Sequence, residues 1–426
     1  MKSPQKSSPV IVYYWGCFMH GGTGAHVRVR QQLDWLVARG FDVAFYSYED
    51  GLKPGAAASS DDAWTEANQA KFREAYPRVR LVLETPSRAL KLMTWIKRRA
   101  IMLGLSNCQG VLGFVLPGAA PELTKLYRLY PDATVLVNYV EGAIQIGRLP
   151  AGQTVIETHD LQFVKRRKLN KARAASLSSM LRMRFELSVI DAVRHAIAIT
   201  RNEATVLETL VGDDKVLAVP SYMRPDDVAL PTAASGPFTY DLAFVGSDNP
   251  FNVAGFRAFV EANSKWLSRY SIALCGKVCG VPEIQALVER NPNITSLGFV
   301  EDLAGLYNQS KAVLSPIDGT GLKIKAVEAL MHGKPVFASE HTMMGLAPGY
   351  DACVFQLDRE RIERLLADDK EREAAEAAIR EYLRLFFRES EQDKLFEALQ
   401  GREGLPPAGE NLADCSAGVA GLGLHG

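Results

Sequence analysis

The sequence predicts an α/β protein built from two doubly wound parallel sheets whose strand ends face one cleft. Three observations carry this expectation. Short runs rich in Val, Ile and aromatics alternate with helical stretches along most of the chain. Glycine-rich turns follow the first strand and a late one, and a single Pro/Gly/Ala-rich segment without periodicity splits the pattern in two. At 426 residues the chain is also longer than one hydrophobic core sustains, which fits two domains. Hydrophobic residues at 47% and charged residues at 23% are ordinary globular values and exclude a wholly disordered chain.

Taken in order, residues 1–9 (MKSPQKSSP) are polar and predicted disordered, and they lack the apolar core of a signal peptide, so no export is indicated. Val10 to Trp15 reads as the first strand. Past GCFMHGGTGAH, Val27, Leu33, Leu36 and Val37 recur at helical spacing up to Gly40, and FDVAFYSYE is the next strand. This βαβ unit implies parallel strands joined by a right-handed crossover. RVRLVLET, TVLVNYV and TVIETHD continue the sheet, and a long basic helix is predicted around Lys165 to Glu186. HAIAIT and KVLAVPS, with a helix ending at Gly212 between them, complete a first domain over 10–220.

Residues 221–238 concentrate Pro, Gly, Ala and Asp and read as the interdomain linker. The pattern restarts in a second domain over 239–375: DLAFVGS, a helix through Val260, then YSIALCG, NITSLGFV, SKAVLSP and PVFAS. From Asp358 to Leu399 the chain is charged, amphipathic and helical, and 401–426 is predicted to be a disordered tail. No solenoid repeat appears.

The formal net charge is zero, yet residues 1–215 hold 29 Lys+Arg against 20 Asp+Glu, and the remainder holds 20 against 29. The basic excess sits around KRR (Lys97 to Arg99) and KRRKLNKAR (Lys165 to Arg173). It leaves two readings open: a surface for an anionic partner such as phosphate or a membrane headgroup, or two solvated helix faces. No nucleic-acid partner is expected. Ala100 to Pro121 carries no charge, but polar residues, glycines and Pro117 break it too often for a spanning helix; partial insertion into a bilayer face stays open. Six cysteines show neither zinc-finger nor disulfide-framework spacing, Cys275 and Cys279 being the only close pair, so a reducing, cytoplasmic setting is expected.

Two turns carry chemistry. Gly21, Gly22 and Gly24 follow the first strand and precede a helix, so backbone can approach a ligand there and the helix N-terminus favours anions. Val27 stands where the dinucleotide fingerprint needs its third glycine. The second turn lies in SPIDGTGLKIKAVEALMHGKPVFAS, Ser315 to Ser339: strand, IDGTG turn, helix, Gly333 as C-terminal cap, strand. The free N–H groups of Gly319, Thr320, Gly321 and Leu322 would attract a diphosphate. Glu328, eight residues past Thr320, is expected about 12 Å along the axis, where a carboxylate can accept from a ribose diol. A Walker loop is excluded by spacing. His159 in ETHD ends a strand and should face the cleft, although a structural histidine capping the next helix with Asp160 is the competing reading. For Glu328 the competing reading is a salt bridge to Lys325 or Lys334.

The Ser315 to Ser339 stretch, preceded by LGFVEDLAGLYNQSKAVLSP, resembles the donor-binding half of a retaining glycosyltransferase of family 4 with the GT-B fold. GGTGAHVRVRQQLDWLVARGFDVAFYS is similar to that family's N-terminal glycine-loop unit, and the resemblance spans Val10 to Leu399. It implies a nucleotide diphosphate sugar as donor in the second domain, an acceptor mainly in the first, no metal and no other cofactor. The acceptor would be lipid-linked or a polysaccharide at the inner membrane face. It also implies that the last helix, 376–400, crosses back to the first domain. Glu328 matches the second, ribose-binding glutamate of the family's E-x7-E motif, while Thr320 replaces the first, leaving Asp318 as the nearest substitute. Gly246 and Ser247 stand where many members keep an Arg and a Lys, so Lys323 or Lys277 would balance the diphosphate. Gly298, Phe299 and Val300 match the loop that meets the base, and His159 matches a histidine that contacts the transferred sugar. Three alternatives share these residues: a nucleotide-sugar epimerase, a dinucleotide-dependent oxidoreductase using Glu49, and a non-catalytic nucleotide-sugar sensor.

Overall fold

Two runs of buried strands organise the chain. A computed structural model describes residues 8–20, 23–51, 62–171, 173, 176–223, 237–300, 303–319, 321–388 and 390–400. The segments read as disordered or linker (1–7, 224–236 and 401–426) lie outside the described residues, whereas Pro9 already belongs to the first strand. In the first domain β1 (Pro9–Tyr13), β2 (Asp42–Tyr48), β3 (Arg80–Glu84), β4 (Thr134–Asn138), β5 (Thr154–Glu157), β6 (His195–Ala198) and β7 (Val216–Ala218) pair in the order β3-β2-β1-β4-β5-β6-β7. In the second, β8 (Tyr240–Val245), β9 (Ile272–Cys275), β10 (Ile294–Gly298), β11 (Ser310–Ser315), β12 (Val336–Ala338) and β13 (Val354–Gln356) pair as β10-β9-β8-β11-β12-β13. Every pairing is parallel, as crossover helices between successive strands require. The central strands are apolar on both faces because helices cover both: Val135, Leu136 and Val137 of β4 are fully buried.

Strand order reverses between β1 and β4 and again between β8 and β11. A crevice opens at such a switch point, beyond the strand C-termini, because the helices leaving the two strands go to opposite faces of the sheet. Both glycine turns of the sequence lie at these switch points, after β1 and after β11.

Three expectations about helices need correction. The basic run is not one helix: Gln162–Leu169 ends at Asn170, Lys171 takes a left-handed φ of 50°, and Ser176 caps a new helix, Leu177–Ala192. Asn and Ser favour these terminal positions because their side chains satisfy end groups locally. The helix of the second glycine turn begins only at Ile324 and runs to Met331. Residues past Asp358 form three helices, Arg359–Ala367, Asp369–Arg388 and Gln392–Leu399. The middle one packs Ile379, Tyr382, Leu383, Phe386 and Phe387 into the second-domain core, so the return to the first domain is made by Gln392–Leu399 alone. There Leu395 and Leu399 are buried, Trp35 Nε1 donates to Gln392 Oε1 at 2.9 Å, and Thr134 Oγ1 donates to the Leu399 carbonyl at 3.2 Å.

The two basic runs are largely consumed inside the molecule. Lys97 is buried and donates to the carbonyls of Leu112 (3.0 Å) and Gly147 (2.5 Å), while Arg98 and Arg166 both approach Glu141. Among the described residues no helix is long and apolar enough to cross a membrane.

Candidate active site

Between the two sheets lies a cavity of 640 Å³. The first domain contributes Gly24, His26, Tyr139, His159 and Lys165 to its wall; the second contributes Gly246, Ser247, Lys277, Asp318, Gly319, Leu322 and Lys323. Phe299 and Val300, from the loop after β10, close one side.

His159 follows β5 with φ 60°, and Tyr139 follows β4 with φ 67°. Neither is glycine, so both sit in a sparsely populated backbone region, the kind of strain that persists where surrounding structure enforces it. Their rings stack at 4.2 Å with an interplanar angle of 12°. The tautomer of His159 follows from its partner. Asn138 Nδ2 donates to the Tyr13 carbonyl (3.1 Å) and to Gln32 Oε1 (3.0 Å), which makes Asn138 Oδ1 the acceptor facing His159 Nε2 at 2.7 Å. His159 therefore carries its proton on Nε2. Burial, reinforced by Arg28, Lys165 and His26, holds its pKa well below the ordinary histidine value, so the ring is neutral. Asp160 does not cap the next helix; it pairs with Lys165 at 2.7 Å.

On the opposite wall the chain leaves β11 through a turn with Gly319 at φ 141° and Gly321 at φ 70° and enters the helix Ile324–Met331. Lys323 occupies the N-cap position, with no side-chain cap on the helix, and its Nζ donates to the Gly321 carbonyl at 3.1 Å. Burial pulls its pKa down to about 8, against the attraction of Asp160 and Glu203. Lys168 Nζ reaches across from the first domain to the Gly319 carbonyl at 3.1 Å. Asp318 is paired with His341 Nδ1 at 2.8 Å. Where the Arg and Lys of the family pattern are missing, Gly246 and Ser247 lead into the helix Pro250–Leu267, whose N-terminus Asn249 caps by accepting from Phe251 N–H at 2.9 Å. That 18-residue helix also opens on the cavity through Asn249, Pro250 and Phe251.

The remaining expected residues fall differently. Glu328 is not in the cavity wall; it is paired with Lys325, itself in the wall, at 2.7 Å. The axial distance of about 12 Å does not hold, because the helix starts four residues before Glu328 and regular rise accounts for only about 6 Å. Gly298 (φ 68°) lines a shallower neighbouring pocket with Lys277 and Phe299, and Gly321 lies behind the wall against Asp160. Gly22 and Thr320 lie outside the described residues. Glu49 accepts from Thr85 Oγ1 at 2.5 Å and is not in the wall. Sequence reasoning missed Tyr139, Asn138, Lys165, Lys168 and Asn249. The NP pair before a helix, a strong N-terminus signal, could have shown Asn249.

Residues 239–383 match the family model described as Glycosyl transferases group 1. No curated protein matches the chain as a relative. Among solved structures, sucrose-phosphate synthase from Thermosynechococcus elongatus superposes with a TM-score of 0.65 at 16% identity, covering 93% of this chain and 100% of its own. HepE from Anabaena, in complex with UDP, gives 0.60 at 13% identity over 91% and 99%. WaaG, a glycosyltransferase involved in lipopolysaccharide biosynthesis, gives 0.54 at 12% identity over 92% and 100%. These likenesses establish the fold of the whole chain, and the family match establishes its second half. The chain carries a glycosyl transferases group 1 domain and is a glycosyltransferase of the GT-B fold.

Proposed function

We propose that the protein transfers a hexose-type sugar from a nucleotide diphosphate sugar to an acceptor hydroxyl with retained anomeric configuration. The observation that carries this is one cavity lined on one side by Gly319, Leu322 and Lys323, and on the other by the neutral, oriented His159. The anomeric C–O bond to the diphosphate breaks with its electron pair going to the diphosphate oxygen. Lys323, Lys277 and the N-terminus of Ile324–Met331 receive that charge without a metal ion at the diphosphate. The acceptor oxygen bonds the anomeric carbon on the face the diphosphate leaves, and its proton passes to a departing phosphate oxygen. His159 orients the sugar, and Glu328 reaches the ribose once Lys325 swings toward the diphosphate. HepE's complex with UDP makes UDP the first nucleotide to try. A thermal-shift panel of nucleotide sugars should name the donor by a raised midpoint. His159→Ala and Glu328→Ala should then each abolish transfer or donor hydrolysis. Tight donor binding with no turnover on a broad acceptor panel would replace the enzyme with a sensor, and release of an epimerised donor without acceptor would replace transfer with epimerisation.

The acceptor side of the proposal is a glycolipid or polysaccharide precursor held at an anionic membrane. Its support is one face of the first domain. The helix Arg88–Leu103 exposes Leu92, Trp95 (58%), Ile96 and Leu103, and the helix Leu177–Ala192 packed beside it exposes Leu177 (72%) and Met180. Arg88, Lys91 and Arg99 lie exposed on the first of these helices, with Arg99 over the Trp95 ring at 5.5 Å. Apolar residues flanked by cations fit an interface with negatively charged headgroups. In low salt the protein should float with vesicles containing phosphatidylglycerol and not with neutral ones, and Trp95→Ser with Leu92→Ser should abolish flotation. A wild-type chain that stays soluble with the anionic vesicles removes the membrane from the proposal.

A further inference from the structure

On the first-domain wall of the cavity, His20, His26 and Asp62 place one nitrogen or carboxylate oxygen each within 4.8 Å of one another. They come from three separate places: the loop after β1, the first turn of the helix Gly24–Ala38, and the segment that follows 52–61. The two imidazoles meet edge to face with centroids 4.8 Å apart, and His26 and Asp62 both line the cavity. The geometry points to a binding site for a first-row divalent cation of zinc's class, held by two imidazoles and a carboxylate, with its remaining coordination positions toward the cavity.

The donor set suits such an ion, since imidazole and carboxylate are borderline and hard ligands that together favour zinc over magnesium or calcium. Bonds of about 2.0–2.2 Å around one ion put its donors about 3–3.5 Å apart, so side-chain rotations that close the present spread by about 1 Å complete the set. Two of the three ligands are fixed for that purpose by backbone. The His26 N–H bonds to Thr23 Oγ1 at 3.3 Å, setting the helix start, and the Asp62 carbonyl accepts from Cys17 N–H at 2.9 Å. Asp62 also needs Gly16: a Cβ there would stand 2.7 Å from the Asp62 carbonyl oxygen. The nearest guanidinium does not oppose a cation, because Arg28 is paired with buried Glu157 at 3.2 Å. Three ligands leave positions for water or for an oxygen of the acceptor, which on this wall is the substrate class in reach. The ion sits on the acceptor lobe and takes no part in holding the diphosphate.

The test uses the full chain, stripped by a chelator and dialysed, with Zn²⁺ as the probe and no nucleotide present. Calorimetry should show one equivalent bound at micromolar or tighter affinity, and Co²⁺ should give a d–d absorption spectrum of a nitrogen- and oxygen-ligated site. His20→Gln and Asp62→Asn should each weaken Zn²⁺ binding by about tenfold or more, while His332→Ala in the other domain leaves it unchanged. Far-UV circular dichroism checks that each variant folds, and if Asp62→Asn does not, the half-buried His20→Gln decides. Absence of binding by the wild-type chain, or equal binding in the folded variants, overturns the site. The inference does not rest on the donor reading, and because the titration contains no nucleotide the two stand or fall separately.

Discussion

At Lys323 burial and charge pull in opposite directions. Asp160 and Glu203 favour its ammonium, burial disfavours it more, and the pKa falls to about 8. A diphosphate arriving at the turn restores the charged form, so binding above that pH takes up a proton. Nucleotide diphosphate affinity should therefore fall as pH rises from 7 through 8 to 9, approaching tenfold per unit above the pKa. Calorimetry at those three values checks it, and Lys323→Arg should flatten the profile. Lys323→Met should weaken binding at pH 7 by about 10- to 100-fold, the loss of one hydrogen bond between charged groups. Stability should move the other way. With a folded pKa below the unfolded value, the unfolded chain binds more protons between about 8 and 10.4, so this lysine opposes folding most below pH 8. The Met variant should thus lose ligand without losing thermal midpoint at pH 7. Lys323 and His159 were legible in the sequence because each sits at the end of a strand and its position follows from local pattern. Tyr139, Lys165 and Lys168 were not, since their place in the wall depends on which loops of two distant sheets meet.

Among elements, the closing helix Gln392–Leu399 shows where local pattern stops informing. Amphipathic periodicity past Asp358 marks helix, but which lobe each piece covers is settled by breaks at Asp368 and near residue 390. Likewise β13 is three residues of CVFQ, too short to show a period, and pairs only because β12 offers its edge. The return of the last helix is fastened by one side chain. Gln392 Oε1 accepts from Trp35, and its Nε2 donates to the carbonyls of Ser221 (3.0 Å) and Met223 (2.7 Å), tying the helix Gly24–Ala38, the interlobe segment and the C-terminal helix together. Gln392 is 5% exposed, so water does not replace these partners. Gln392→Ala should cost about 2–4 kcal/mol, one to three buried groups left unpaired, and Gln392→Glu should not restore it because a carboxylate cannot donate to the two carbonyls. Chemical denaturation followed by Trp fluorescence reads the first domain's transition. A loss below about 0.5 kcal/mol would show that the helix is held by Leu395 and Leu399 packing instead.

For the molecule as a whole, the contacts across the cavity decide whether the two lobes stand together before a ligand arrives. Three are present: Lys168 Nζ to the Gly319 carbonyl (3.1 Å), Asn202 Nδ2 to the Met344 carbonyl (2.5 Å), and Gly321 against Asp160. The last is steric. A methyl group on Gly321 would overlap Asp160 Oδ1 and crowd Ile199, and the left-handed φ of 70° costs any other L-residue about 1–2 kcal/mol. Asp160 cannot yield toward its own domain without breaking its pair with Lys165, so the strain is relieved by parting the lobes. Gly321→Ala should therefore raise the radius of gyration in small-angle scattering while far-UV circular dichroism stays constant. Sugar transfer should drop more than nucleotide binding, because the diphosphate turn and its helix belong to one lobe and His159 to the other. Equal losses in binding and transfer, with an unchanged radius, would place the damage in the turn itself and show that lobe contact does not depend on this glycine. Adding Asp160→Ala to Gly321→Ala separates the two further: removing the overlapped carboxylate should bring the radius back toward wild type if the lobes part for steric reasons, and should leave it unchanged if the turn has refolded.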